Sequence, residues 1–331
     1  MDSVIADVVS QGGVANTSYV QKPEDSFNED LVEAIAEGRG PDVVLLDHRD
    51  LLRHRAKIAV FPFESVSERD YTDTFIDGAQ IFWTPEGYIG LPFSVDPMVM
   101  YWNKSIFINE GLIRAPLYWD EFANLALKIT KKDASSTISR SLVGFGEYTN
   151  VIHAKDIVSM LMIQAGTPLV AWGSNGFVQN YLTFQNREGL RSADVALRFY
   201  TEFADPAKAI YSWDRSLPNS QKGFVSGTVG IYFGFASEVE SIRKANPNLN
   251  FDVALVPQIR DGLEKSTYAR FSSASVLKTS RNIQAAYGVA SLLTSIDSAS
   301  VLLDSSLRPP VFKDMIAKKP LDPYKVVFYD Q

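Results

Sequence analysis

The chain of 331 residues contains no cysteine, which excludes disulfides, thiolate metal sites and cysteine nucleophiles within it. That absence leaves the redox compartment open, since a cysteine-free chain tolerates either environment. Histidine is nearly as scarce. The three present, His48, His54 and His153, have no zinc-type spacing. No GxSxG elbow accompanies them, so a serine triad has no support. Basic residues are outnumbered, 32 against 39 acids, for a formal net charge of −7. No run of lysine and arginine reverses that balance locally, which argues against a nucleic-acid surface. No apolar run is long enough to span a bilayer. The opening "MDSVIADVVSQGG" has acids at Asp2 and Asp7 and no basic leader, so no signal peptide is read there. Internal repeats, low-complexity segments and long linkers are absent too.

What is present is an ordinary globular composition, 46% hydrophobic and 21% charged, with 12% aromatic residues. Aromatics at that level suit core packing and also apolar faces that line a ligand cleft. At this length a single core becomes hard to extend, so two lobes are expected.

Along the chain, helical and extended patterns alternate. "VIADVV" (4–9) reads as a short helix and "TSYVQKP" (17–23) as a strand stopped by proline. In "SFNEDLVEAIAEGRGPDVVLL", Ser26 and Glu29 give a capping-box signature, and Phe27, Leu31 and Ile35 share one helical face. Gly38, Gly40 and Pro41 stop that helix before a short apolar run at 43–46. Such a run after a helix reads as a buried strand of a parallel sheet. Further helices are expected from Asp120, over 156–166 and 192–204, from about Ser237 to Asn246-Pro247, and within "NIQAAYGVASLLTSIDSASVLL". Strands are expected over 229–235, "FDVALVPQ" and "RFSSASVLKT". This alternation predicts an α/β protein with mainly parallel sheets.

One stretch resists the pattern. "YIGLPFSVDPMVMYWNKSIF" (88–107) is apolar enough for a core strand, yet Asp96-Pro97 sits inside it. Proline has no N–H for a ladder, and a buried carboxylate is costly unless it is paired or hydrogen-bonded.

Several segments together resemble the extracellular solute-binding proteins of ABC importers, the group that includes maltose-binding protein. They are "LVEAIAEGRGPDVVLLD", "YIGLPFSVDPMVMYWNKSIFINEGL", "WDEFANLALKIT", "FVSGTVGIYFGFASEVESIRKANPNLNFDVALVPQ" and "LLTSIDSASVLL", in the family's order over nearly the whole chain. The strand–Asn103-Lys104–helix unit followed by "WDEF" carries most of the likeness. The resemblance implies a type II periplasmic-binding-protein fold, two α/β lobes with a ligand cleft between them, joined by crossing strands. It divides the chain into lobe 1 (1–95), lobe 2 (96–257), lobe 1 again (258–312) and a C-terminal segment (313–331) returning toward lobe 2. Ser94, Val95, Pro97 and Pro257 would form the hinge, and Asp96 would face the cleft to accept hydrogen bonds from sugar hydroxyls. The bland alternative for Asp-Pro is a strand-terminal turn with a solvated aspartate.

The same resemblance brings Asp47 and His48 near the ligand, at the C-terminal edge of a strand where open sheets bind ligands. Against it stands a solvated loop in which Arg49 pairs with Asp50. Glu147, Tyr148 and Asn150 in "GFGEYTN" become candidate polar and aromatic contacts, and Tyr329 another aromatic one. In "YFGFAS", Phe233 or Phe235 would stack on a sugar ring while Ser237 or the helix N-terminus takes a hydroxyl. Strand alternation gives the two phenylalanines one face, so at least one is expected in the core.

Three departures stand beside the likeness. The family's first strand and its closing C-terminal helices are missing, so both ends read as clipped. Tyr118 occupies a position where the family has a Ser or Thr cap, leaving Asp120 or the backbone to cap the "WDEF" helix. The implied function is a non-catalytic, extracytoplasmic and monomeric receptor that takes a carbohydrate, needs no cofactor or metal, and delivers its ligand to the ABC permease subunits. Lipid anchoring in a longer precursor would fit. Two alternatives stay open: a carbohydrate-active enzyme using a carboxylate pair such as Asp47 and Asp96, which must lie roughly 5–10 Å apart, or a ligand-free surface protein derived from a receptor.

Overall fold

The computed structural model describes residues 17–23, 25–173, 178–183, 185, 189, 191–262, 265–304 and 307–331. The helix expected at 4–9 lies outside them. The chain forms two compact units, Met1–Asp96 with Arg270–Leu321 and Pro97–Ala269 with Asp322–Gln331. The changeovers after Asp96 and after Ala269 differ from the division expected at 95 and 257. Residues 313–321 also stay with the first unit.

In the first unit the strand Val43–Asp47 pairs antiparallel with Ala269–Val276, in register from Val43↔Val276 to Asp47↔Ser272. The helix Ile283–Leu293 covers this pair, with Val289 and Leu293 packed against Val43 and Leu45. Tyr19 joins that cluster, although 17–23 forms no strand. The helix Phe27–Ala36 buries Leu31 as its periodicity requires. Its capping box does not form, because Ser26 is itself in the helical region (φ −101°, ψ −5°) and makes no side-chain cap bond. A serine caps from the extended region, which turns its oxygen back onto the first N–H groups.

The helices Phe27–Ala36 and His48–His54 are tied by Asn28. Its Oδ1 accepts from His54 Nε2 at 2.5 Å, and its Nδ2 donates to Asp50 Oδ1 at 3.0 Å. His54 is fully buried, and its Nδ1 has no hydrogen-bond partner. A proton there would be a buried donor without an acceptor. Burial holds the His54 pKa below its ordinary value, Lys57 and Arg53 add to that, and Asp50 opposes them. The unfolded chain therefore takes up this proton first. Stability is full above about pH 6.5 and is lost as pH falls from there toward the folded value. Urea midpoints between pH 8 and 5 should fall less steeply for His54→Gln than for the parent chain; superimposable profiles would dismiss this role.

In the second unit, the part of the strand Leu91–Asn103 that follows Asp96 pairs antiparallel with Val229–Phe235 through Met98↔Phe235 to Trp102↔Ile231. It also pairs antiparallel with Phe251–Ala254, while Ile138–Val143 runs parallel to Val229–Phe235. Antiparallel pairing thus dominates the registers of the described strands, contrary to the mainly parallel sheets expected. Strand direction depends on where the chain re-enters a sheet, which apolar runs do not encode. The core of this unit is aromatic. Phe122, Phe145, Phe203 and Phe233 are all buried, and Trp119 packs on Phe122, Phe145 and Phe233.

Asp120 does not cap the helix Glu121–Ile129. The backbone does it, Glu121 N–H donating to Tyr118 O (3.2 Å) and Phe122 N–H to Trp119 O (3.1 Å), while Glu121 Oε1 accepts from Leu117 N–H (2.8 Å) and Tyr118 N–H (3.0 Å) in the turn before the helix. Asp120 is thereby free to pair with Arg260 (Nε 2.6 Å), whose guanidinium stacks 4.1 Å from the Tyr118 ring centroid.

Pro257 is not at a changeover. Gln164 Nε2 donates to Pro257 O (3.1 Å) and Ser266 O (2.7 Å), and Thr267 Oγ1 donates to Met98 O (3.0 Å). These bonds stitch the segment after Pro257 into the second unit, so the chain leaves only at Arg270.

Candidate functional site

The strand Leu91–Asn103 runs unbroken through Asp96-Pro97, which overturns the turn alternative for this pair. Val95 N–H donates to Pro309 O (3.0 Å) and Met98 N–H to Tyr268 O (2.8 Å). The missing donor of Pro97 therefore falls between two satisfied positions. Ser94 and Val95 are the buried residues just before the changeover and Pro97 is the first after it. Asp96 is 4% exposed, and Arg308 Nε lies 3.4 Å from its Oδ2. Arg308, about half exposed, was not foreseen. It sits far along the chain beside Pro309-Pro310, and nothing local in the sequence links it to Asp96.

Asp47 and His48 are engaged within the first unit. Asp47 caps the helix His48–His54 by accepting from Arg49 N–H (2.9 Å), and the Arg49 guanidinium grips the same carboxylate through Nε (2.8 Å) and Nη2 (3.2 Å). Burial, the largest single influence, would raise the Asp47 pKa, but the Arg49 hydrogen bonds and the charges of His48 and Arg49 together hold it below its ordinary value. His48 Nδ1 accepts from Phe271 N–H at 3.1 Å. Arg49 thus pairs with Asp47, not with Asp50, which accepts from Asn28.

In the second unit the loop after strand Ile138–Val143 is shaped by Gly146, at φ 89°. A Cβ there would stand 2.4 Å from Ala204 Cβ. Downstream, Glu147 is fixed twice: its carbonyl accepts from Tyr200 OH (2.6 Å), and its carboxylate accepts from Arg215 Nε (2.7 Å). Asn150 spends its whole amide on the loop opposite. Oδ1 accepts from Trp213 Nε1 (3.1 Å), and Nδ2 donates to Asp214 O (2.8 Å) and Leu217 O (3.1 Å). Asn150 is thus a clamp and has no amide hydrogen to offer a ligand, which corrects its expected role. Between these two anchors Tyr148 is 75% exposed, the one aromatic found exposed among the residues whose side chains are described.

Phe233 and Phe235 are 2% and 1% exposed. Phe233 lies among Trp119 (5.5 Å between centroids), Phe145 (5.4 Å) and Phe122 (6.3 Å). Phe235 meets His153 edge-on at 4.8 Å. Neither has a ring face to offer a sugar, so both leave the set of stacking candidates. Ser237 lies half-buried in the short 3₁₀ turn Ala236–Glu238. Tyr329 is half-buried on the terminal helix Pro323–Asp330, where burial raises its phenol pKa. No group of three or more metal-ligating side chains occurs among the described residues.

Comparison with known proteins completes the description. A family model described as bacterial extracellular solute-binding protein matches residues 10–325. The chain is 20% identical over 299 residues to the galactooligosaccharide-binding protein of Bacillus subtilis, covering 89% of this chain. It spans 66% of that relative's length, just under two thirds. Among solved structures, a cyclo/maltodextrin-binding protein complexed with maltotetraose superposes with a TM-score of 0.73 at 17% identity, over 99% of this chain and 80% of that one. The ABC transporter associated binding protein of B. animalis subsp. lactis Bl-04, in complex with β-1,6-galactobiose, gives 0.66 at 20% identity, over 96% and 74%.

Proposed function

This chain belongs to the bacterial extracellular solute-binding proteins, and from that premise we propose that it is a sugar receptor of an ABC importer. Its fold is the type II periplasmic-binding-protein architecture of the maltose-binding type. On this reading it works outside the cytoplasm as a monomer, binds a mono- or oligosaccharide without turning it over, and hands it to membrane permease subunits.

The observation that carries the reading is Tyr148. An aromatic ring left mostly in water, on a loop braced by Glu147 and Asn150, is a prepared apolar face with a polar tip. A pyranose offers C–H groups on one face and hydroxyls at its rim, which matches such a ring face and its phenol tip. The sugars held by the relatives give a starting panel.

Calorimetric titration with maltotetraose and β-1,6-galactobiose, extended to other oligosaccharides, should find a 1:1 ligand that is recovered unchanged after hours. Tyr148→Ala should weaken that ligand about tenfold or more, on the order of 1.4 kcal/mol, with little change in melting temperature because the ring packs against little. A panel without a binder, or a Tyr148→Ala protein binding as tightly as its parent, would refute the proposal. Release of cleaved product would favour the enzyme reading.

A further inference from the structure

The loop that carries Tyr148 continues past Asn150 to a second anchor. Ile152 N–H donates to Ser220 Oγ at 2.9 Å. The next residue, His153, adopts the left-handed conformation (φ 63°, ψ 23°) immediately before the helix Ala154–Gln164. That conformation is unfavourable for a side chain with a Cβ and persists only where the surroundings enforce it.

Glu238 is the carboxylate that the His153 ring meets. Its Oε1 accepts from His153 Nε2 at 2.7 Å and from Phe235 N–H at 2.8 Å. Its Oε2 accepts from Tyr232 OH at 2.6 Å and Gln221 Nε2 at 2.7 Å. The carboxylate is mostly buried, at 14% exposure. Burial on its own would raise its pKa, and the His153 hydrogen bond leads the contacts that hold it below the ordinary value. An ionised carboxylate only accepts, so the His153 nitrogen facing it is the donor. On the other side of the ring, Asp156 Oδ2 lies 4.0 Å from Nδ1.

Three of the four donors belong to the strand Val229–Phe235 and the helix Ser220–Val225. They fix the carboxylate to the sheet, and the fourth bond reaches out to the end of the loop. We propose that Glu238 is a positioning residue, which sets the Tyr148 loop through His153. Its value to ligand binding rests on the sugar-receptor reading; the bracing itself does not.

Hydrogen exchange without any sugar tests the bracing. His153→Ala deletes one donor and leaves the other three. Amides in 147–152 should then exchange roughly tenfold faster or more, while those of Ile138–Val143 stay within about twofold. His153→Asn keeps an amide donor on a residue tolerant of the left-handed region, and should restore slow exchange in part. If His153→Ala does not fold, Glu238→Gln, with one acceptor oxygen for four donors, should show the same contrast. Unchanged exchange at 147–152, or an equal rise at 138–143, overturns the positioning role. Titrating the parent with the sugar panel separates the two ideas. Faster loop exchange with no sugar bound removes the receptor reading alone, and sugar binding with unchanged exchange removes the positioning role alone.

Discussion

Phe233→Ala will destabilise the second unit by about 3–5 kcal/mol, the range for truncating a buried aromatic. The ring is almost wholly buried against Trp119, Phe122 and Phe145. Its removal costs transfer energy and also leaves a void that three rigid aromatic neighbours cannot readily close. Phe235→Ala should lose stability as well, through its edge contacts with His153 and Tyr268. Urea unfolding followed by tryptophan fluorescence, with Trp119 in the affected cluster, measures both. The family resemblance gave one of the two rings a stacking role, so its truncation was expected to cost ligand affinity, while strand alternation placed at least one of them in the core. With both rings inside, stability is the quantity that falls for each. A Phe233→Ala protein as stable as its parent would mean that the ring is not in the core.

Gly146→Ala should have the second largest effect, about 2–5 kcal/mol of stability. Two costs combine. At φ 89° a Cβ brings roughly 1–2 kcal/mol of backbone penalty, and its 2.4 Å approach to Ala204 Cβ adds overpacking of about 1–3 kcal/mol. Adding Ala204→Gly should recover the overpacking share and leave the backbone share. Thermal melts of the single and double variants separate the two, and equal melting temperatures for Gly146→Ala and the parent would discount both. Because Tyr148 follows two residues later, sugar affinity should fall with the single variant.

Much of the fold was legible because its signals are local. The strand Val229–Phe235 begins and ends where its composition predicts, and Asn246-Pro247 ends the helix Val239–Ala245 as expected. Cap chemistry was less legible. Ser26 with Glu29 has the right spacing, yet the backbone entered the helix one residue early, and of the two caps expected for the "WDEF" helix, Asp120 or the backbone, it is the backbone that serves. The site was the least legible part. Tyr148 became a candidate through the family resemblance of its loop, but the bonds that Arg215, Trp213 and Tyr200 make to Glu147 and Asn150 on either side of it are brought in by tertiary packing. Asn150 has the residue type of a ligand contact, and only coordinates show its amide spent on Asp214, Leu217 and Trp213. The partnership of Asp96 with Arg308 is equally non-local.

Each unit is assembled from separate stretches of chain, and this sets an order of events on the ribosome. Val43–Asp47 emerges early, but its neighbour in register, Ala269–Val276, is made only after the whole intervening segment. At ~5–20 residues per second that delay is on the order of tens of seconds. Through it, the nascent strand carries Val44 and Leu46, buried in the finished protein, as apolar surface that chaperones can hold.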